Sequence, residues 1–399
     1  MTATATATAT ATSTSTTTAP GLGPAMHFRG IGTATPVWRY RKDECLAAFQ
    51  QSDWFAKLDA RAHFIARTVL QRDNGIDERH LAVASLKEVF CIDPDTLARR
   101  YAEHAPALAA AAARRALDAA GLAAADIDAV VVSTCTGYLC PGLSGHVVER
   151  LQLRRDVQAF DLVGQGCAAA LPNLQLARAL IGAGAGRHVL SVCVEVSSAA
   201  MYLDNDPGVL ISACLFGDGA GAAVLSAVPG GCASAQHAAV NNREIAWHDS
   251  ISITEPAHRE ALRFEQRGGM LRNILTRQVP ALAAERAEEA LRRVLERAGL
   301  TQQDIGAWIL HAGGRDVLKA IERSFRLKPE DLRYSADVLR SHGNLSSAFV
   351  QPVQRLCLLC ARCRAGRQRA RPVVVAQCLW RRFQLPWRPA AGAVNKGVA

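Results

Sequence analysis

Three short segments place reactive side chains next to glycines, and together they hold the residue types of nucleophilic acyl transfer. The first is Gly164-Gln-Gly-Cys167-Ala-Ala-Ala170, followed by a helical pattern from Asn173. A thiol at a helix start meets free N–H groups and partial positive charge, which favour thiolate. The glycines let the chain turn sharply and let a substrate approach. The second segment is Trp308-Ile-Leu-His311-Ala-Gly-Gly314, an imidazole at the end of an apolar run that opens into a Gly turn. The third is Ser341-His342-Gly343-Asn344-Leu-Ser346-Ser347. A cysteine nucleophile needs a base or electrostatic partner and a donor for a developing oxyanion, and the three segments supply those types from separate loops. Each has a plainer reading when taken alone. Cys167 fits a small buried residue at a junction, His311 a satisfied core histidine, and Asn344 a left-handed turn residue.

The elements that must carry these segments follow a repeated order. Ala105 to Ala120 is an Ala-rich helical pattern stopped by Gly121, and Asp126 leads into the β-branched run Ala129–Ser133. A helix over Asn173–Gly182 precedes a strand over His188–Val194, and a helix over Ala281–Ala298, stopped by Gly299, precedes a strand over Ala307–Leu310. Helix–strand alternation with Gly-bearing joints implies layered α/β architecture with a buried sheet. The copies near 105–133 and 281–310 read as one unit used twice, hence two related lobes.

Bulk properties narrow the function. Nearly half the residues are apolar (49%), enough for a large core, yet no uninterrupted run of about 18 uncharged apolar residues marks a membrane span. The net charge of +10 does not describe a polycation. Ten Lys or Arg and no acidic residue lie in 351–399, which leaves 36 basic and 36 acidic side chains before them. Specific nucleic-acid binding is therefore not expected. Residues 1–25 open on a Thr/Ala-rich tract without the pattern of a signal peptide, read as a disordered leader. Twelve cysteines without a secretory signal suit a reducing cytoplasm.

Five motifs in order carry a family resemblance. They are Ser133-Thr-Cys-Thr-Gly-Tyr-Leu-Cys-Pro-Gly142, Gly164-Gln-Gly-Cys167, Leu215-Phe216-Gly-Asp-Gly-Ala220, His311-Ala-Gly-Gly314 and Gly343-Asn344-Leu-Ser-Ser347. Over roughly residues 27–350 the chain resembles type III polyketide synthases of the chalcone- and stilbene-synthase-like group. One departure is Ala312, where the family usually has Pro. The resemblance implies a thiolase-like αβαβα fold, with residues 26–235 as an N-terminal lobe bearing Cys167 and 236–350 as a C-terminal lobe bearing His311 and Asn344. It implies a homodimer using acyl-CoA and malonyl-CoA, with no cofactor beyond these coenzyme A thioesters and no metal. In that mechanism Cys167 carries the acyl group, held as a thiolate by His311, while His311 and Asn344 stabilise the enolate left by decarboxylation. Phe216 and Phe264 match the two gating phenylalanines, and Cys135, Ser197, Ala200 and Ser212 match cavity positions. The stretch Ala261-Leu-Arg-Phe264-Glu-Gln-Arg-Gly-Gly-Met-Leu-Arg-Asn273 resembles bacterial alkylresorcinol and alkylpyrone synthases, and the small cavity residues suit a long fatty acyl starter. Arg79 is weighed as a coenzyme A contact and not retained.

After Val350 the family pattern stops, and residues 351–399 form a basic tail read as lacking helical or strand period. Read one nucleotide out of phase, allowed codons for Val373 through Pro389 can encode a strand and Gly-rich loop of the family's kind. Trp380 and Trp387, whose single codon then becomes a Gly codon, fall where the family has Gly. A shifted frame would leave the sheet short of a strand, so an inactive pseudo-enzyme stands as one alternative. A 3-ketoacyl synthase III-like condensing enzyme is another, disfavoured by Gly-Gln-Gly before Cys167 and by the Phe216 gate. The spacing Cys357-x-x-Cys360-x-x-Cys363, with Cys378 fifteen residues on, imitates a metal ligand run but lacks a well-placed fourth ligand.

Overall fold

The computed structural model describes residues 26–227 and 245–350, and the backbone strand at 373–377. In chain order the elements are β1 (Met26–Ala34), β2 (Arg39–Arg41), α1 (Lys42–Gln50), α2 (Asp53–Ala56), α3 (Ala60–Gln71), β3 (Glu78–His80), α4 (Pro94–Ala120), β4 (Ala129–Thr134) and α5 (Leu143–Leu151). They continue with β5 (Gln158–Val163), α6 (Ala170–Gly182), β6 (His188–Glu195), α7 (Pro207–Leu215), β7 (Gly219–Ser226) and β8 (Ile245–Trp247). The rest are β9 (Leu262–Arg267), β10 (Met270–Leu275), α8 (Val279–Ala298), β11 (Ile305–Leu310), α9 (Arg315–Phe325), α10 (Arg333–His342) and β12 (Val373–Gln377).

The central sheet runs β5-β4-β6-β7-β1-β8. β4 pairs in parallel with both β5 and β6, whereas β6–β7, β7–β1 and β1–β8 are antiparallel. Both faces are covered, and strand alternation decides which residue faces which helix. Val130 and Val132 of β4 pack with Ala109, Ala112 and Ala116 of α4 and Val147 of α5. Ala129 and Val131 pack with Leu174, Ala177 and Ile181 of α6 on the other face. A strand buried on both sides reads as an unbroken apolar run, which is why it was legible locally. A second core gathers α8, α9, α10 and β11 around Trp308, Ile309, Ile321 and Phe349.

The recurring unit is real in detail. α4 ends at left-handed Gly121 and α8 at left-handed Gly299. Each is followed by a 3-10 turn, closed by Asp126 accepting from Ala123 N at 2.8 Å in one and Asp304 accepting from Thr301 N at 2.8 Å in the other, and then by β4 or β11. Some boundaries differ from expectation. α4 begins eleven residues earlier than read, because Asp93 caps it by accepting from Thr96 N at 2.9 Å and Pro94 takes the first turn. α6 begins at Ala170 rather than Asn173.

Contrary to the expectation of a tail without strand pattern over 351–399, β12 pairs in parallel with β11 from Ile305↔Val373 to Leu310↔Gln377. Val373, Val374 and Val375 are three consecutive β-branched residues, a strand signal inside an otherwise irregular stretch. β11 is therefore not left without a neighbour by the sequence as written. The Thr/Ala leader, the lobe boundary at 235/236 and the cysteine run of the tail lie outside the described residues. Among those described, no helix is long and apolar enough to cross a membrane.

β1 lies on α4 with backbone against backbone. A Cβ at Gly32 would stand 2.1 Å from Ala112 O and 2.4 Å from Ala116 N, and one at Gly30 would stand 2.2 Å from Ala116 O. Neither neighbour is a side chain that can swing aside. Gly32→Ala should lower unfolding free energy by about 3 kcal/mol, at the upper end of ordinary overpacking. A chemical-denaturation midpoint unchanged from the parent protein would show that the two elements are not held this closely.

Candidate active site

Cys167 lies in a 3-10 turn, Gly166–Ala168, between β5 and α6. Gly164 (φ +76°) and Gly166 (φ +64°) are both left-handed, the conformation only glycine adopts freely. Behind the turn, Asn173 of α6 is fully buried. Its Nδ2 lies within bonding distance of Val131 O (3.1 Å), Ser133 Oγ (2.8 Å) and Val192 O (3.1 Å). That amide ties the start of α6 to β4 and β6, and so fixes the depth of Cys167.

His311 follows β11 directly and is 1% exposed. Its ring stands edge-on to Phe349 at 5.3 Å between centroids, and its Nδ1 has no hydrogen-bond partner among the described residues. Asn344 follows α10 across left-handed Gly343 (φ +72°). Its backbone bonds to the segment after α7, Asn344 N to Leu215 O at 2.9 Å and Gly217 N to Asn344 O at 3.0 Å. Its Nδ2 donates to Gly313 O at 3.1 Å, and its Oδ1 accepts from Ser346 N at 2.8 Å. One N–H of that amide remains for a ligand.

Ser346 joins the set together. Its Oγ donates to Cys167 Sγ at 3.2 Å and lies 3.4 Å from Cys135 Sγ. Its backbone is left-handed (φ +50°), uncommon for a residue with a side chain. Thus Cys167 meets Ser346, Ser346 meets Asn344, and Asn344 meets the Gly313 turn two residues beyond His311.

The electrostatics differ from expectation. Burial pushes the Cys167 thiol up to about 11, against the opposing effect of the Ser346 hydrogen bond, and burial pulls His311 down to about 4. Cys167 is only partly buried as a residue, but the protein packed around its sulfur outweighs the helix-start effect. These shifts favour the uncharged thiol and imidazole over the thiolate–imidazolium pair expected from the sequence. Among the described residues the thiol's hydrogen bond is to Ser346, not to His311. Near neutral pH both groups are uncharged, and a neutral imidazole offers one donor and one acceptor nitrogen.

Phe216, Phe264, Ser197, Ala200 and Ser212 line one cleft, together with Ser346 and Thr136. The cleft contains about 490 Å³ of open space including its mouth. Cys135 is not on this wall. Its thiol is turned toward Glu195, donating to Oε1 at 3.3 Å, while its backbone N donates to Oε2 at 3.0 Å.

Glu195 and Ser346 were missed as individual residues in the sequence. The Glu195 carboxylate is wholly buried and accepts from Thr136 Oγ1 at 2.9 Å, from Cys135 and from Ser347 Oγ; burial raises its pKa while these bonds oppose the rise. A charged residue ending the apolar run His188–Val194 was the available signal. Arg79, weighed as a coenzyme A contact, points into the interior and is 7% exposed.

Residues 33–297 match the family described as FAE1/Type III polyketide synthase-like protein, two thirds of the chain. The chain belongs to the type III polyketide synthase family. Residues 255–356 also match the C-terminal domain of chalcone and stilbene synthases. A 1,3,6,8-tetrahydroxynaphthalene synthase from Streptomyces peucetius subsp. caesius is 31% identical over 325 residues, covering 80% of this chain and 82% of that protein. A 3,5-dihydroxyphenylacetyl-CoA synthase from Streptomyces toyocaensis is 29% identical over 334 residues, covering 84% of this chain and 83% of that one. In fold, the chain is similar to polyketide synthase PKS-I of the brown alga Ectocarpus siliculosus, with a TM-score of 0.74, 22% identity and coverage of 86% and 92%. It is likewise similar to the tetrahydroxynaphthalene synthase of Streptomyces coelicolor A3(2), with a TM-score of 0.72, 23% identity and coverage of 85% and 91%. The thiolase-like α/β fold and acyltransferase class expected from the motifs are thereby established.

A thiol at about 11 reacts through its scarce thiolate, so alkylation of Cys167 by iodoacetamide in the ligand-free protein should keep accelerating with pH from 7 to 10. Peptide mass spectrometry gives the rate. A rate already level from pH 6 upward would instead reveal a preformed ion pair with His311.

Proposed function

We propose that this synthase loads an acyl group from a coenzyme A thioester onto Cys167 and extends it with malonyl-CoA by decarboxylative condensation. The supporting observation is the convergence of Cys167, Asn344 and the His311–Gly313 turn through Ser346, which itself lines the cleft that Phe216 and Phe264 line. Loss of carbon dioxide from malonyl-CoA places negative charge on the thioester oxygen. The spare N–H of Asn344 and one nitrogen of neutral His311 are the donors for that oxygen. The pKa of about 4 favours this role, because a neutral imidazole can donate to the enolate without protonating it as readily as imidazolium would. The carbanion then attacks the Cys167 thioester, Cys167 leaves as thiolate, and the lengthened chain returns to it or cyclises.

Two starter readings follow. Ala200, Ser197 and Ser212 are small, which suits a fatty acyl starter and an alkylresorcinol or alkylpyrone product. Relatives named for polyhydroxylated aromatic products favour a compact malonate-built aromatic instead. Incubation with malonyl-CoA alone, and with palmitoyl-CoA added, followed by mass spectrometry of products, separates them. Cyclised products in either arm also exclude simple 3-ketoacyl transfer.

A homodimer fits the edge position of β5, whose outer ladder is unpaired among the described residues and whose Val163 is 43% exposed. The seven described cysteines are free thiols, in keeping with a reducing cytoplasm.

Removing one donor from such a site typically costs a factor on the order of 10²–10³ in turnover. Asn344→Ala should therefore slow malonyl-CoA decarboxylation by roughly that factor, while Cys167 alkylation is preserved. A parent protein that releases no carbon dioxide from malonyl-CoA would overturn the synthase reading in favour of the inactive one.

A further inference from the structure

Arg79 is a buried cation that the mechanism above does not use. It sits on β3, and its Nη1 lies 2.9 Å from Ala213 O and 2.9 Å from Phe216 O. Both carbonyls belong to the end of α7, where a helix leaves acceptors unsatisfied and carries partial negative charge. The next residue of the same strand acts alongside it, since His80 O accepts from Asp218 N at 2.8 Å. Asp218 is a buried carboxylate in the same region and accepts from Ala82 N at 2.6 Å and Ser198 N at 2.8 Å. β3 therefore grips residues 213–218 through one guanidinium and one backbone bond.

That grip reaches the reacting groups from two sides. Phe216 lines the cleft and forms a single backbone bridge with Asn344. On the far side, the aliphatic stem of Arg79 lies against Gly343. A Cβ at that glycine would stand 3.1 Å from Arg79 Cγ and 2.8 Å from Leu215 O. The residue before Asn344 is thus confined between Arg79 and the end of α7, and the backbone of Asn344 itself is bonded to Leu215 and Gly217. No other charged side chain is bonded to this junction among the described residues.

We propose that Arg79 is a positioning residue for the condensation step, locking the end of α7 so that Phe216 and the Asn344 amide are presented to the cleft in register. The inference rests on the role given above to Asn344. A lysine would keep the charge and a nitrogen with several donors on a shorter, more flexible stem, and a glutamine would keep neither the charge nor the reach.

The test compares Arg79→Gln and Arg79→Lys in the full chain by two readouts, malonyl-CoA decarboxylation and iodoacetamide alkylation of Cys167. An ångström-scale misplacement of a donor lowers turnover on the order of 10²-fold. Arg79→Gln should show such a loss in kcat, with KM for malonyl-CoA and the alkylation rate each within about 2-fold of the parent, and Arg79→Lys should recover part of it. In an Asn344→Ala background, Arg79→Gln should have no further effect on decarboxylation, because the group it positions is gone. A change confined to KM would make Arg79 a coenzyme A contact and overturn the proposal. So would equal losses in both readouts, full additivity with Asn344→Ala, or unchanged kcat. If Arg79→Gln does not fold, Arg79→Lys carries the same comparison and is judged by the same split. Absence of decarboxylation by the parent protein would sink the synthase reading itself, whereas an active parent with unsplit losses sinks only the role of Arg79.

Discussion

Two backbone hydrogen bonds, from Asn344 N to Leu215 O and from Gly217 N to Asn344 O, are the constraint on which the site depends. They join residues more than 120 positions apart, from the segment that ends α7 and the loop that leaves α10. With the Ser346 hydroxyl on Cys167 and the Ser347 hydroxyl on Glu195, they bring the half of the chain bearing Cys167 against the half bearing Asn344. Because both bonds are backbone, the join is indifferent to side-chain identity at 215 and 344. What it requires is close approach, and Gly217 and Gly343 supply that. A Cβ at Gly217 would come within 2.1 Å of His342 O.

The sequence revealed those parts of the molecule in which local pattern and final environment agree. β4 and β6 are buried on both faces, so their apolar runs were readable without knowing their neighbours. α4 and α8 stop at glycines that do adopt the left-handed conformation, and the Asp-bearing turns after them recur. β1 was not readable as a member of the central sheet. Its partners β7 and β8 lie some 190 and 220 residues away, and its two close-packed glycines dilute the strand pattern. The Asp93-Pro94 start of α4 was present as a capping signal but was overshadowed by the Ala-rich stretch that follows. The valines of β12 were likewise masked by the irregular tail around them.

The site shows the same division. Motif order was enough to single out Cys167, His311 and Asn344, because their residue types imply a chemistry even before they are assembled. Their charge states were not legible. A helix start argues for thiolate, but the competing burial is a property of the folded whole, and it dominates at both Cys167 and His311. Ser346 and Arg79 act through neighbours contributed by distant segments, so no local pattern could assign their roles, and Glu195 showed only as a charge closing an apolar run. Cys135 illustrates the converse. Its place in a motif suggested a cavity wall, yet a buried carboxylate captures its thiol.

The left-handed backbone at Ser346 limits what this position can become. Holding a side chain there costs on the order of 1–3 kcal/mol, which glycine would avoid. Glycine, however, would remove the hydroxyl that lies against the sulfurs of both Cys167 and Cys135. The conformational expense at this position is thus tied to the hydroxyl that touches the nucleophile's sulfur, so relaxing the backbone and keeping that contact are mutually exclusive.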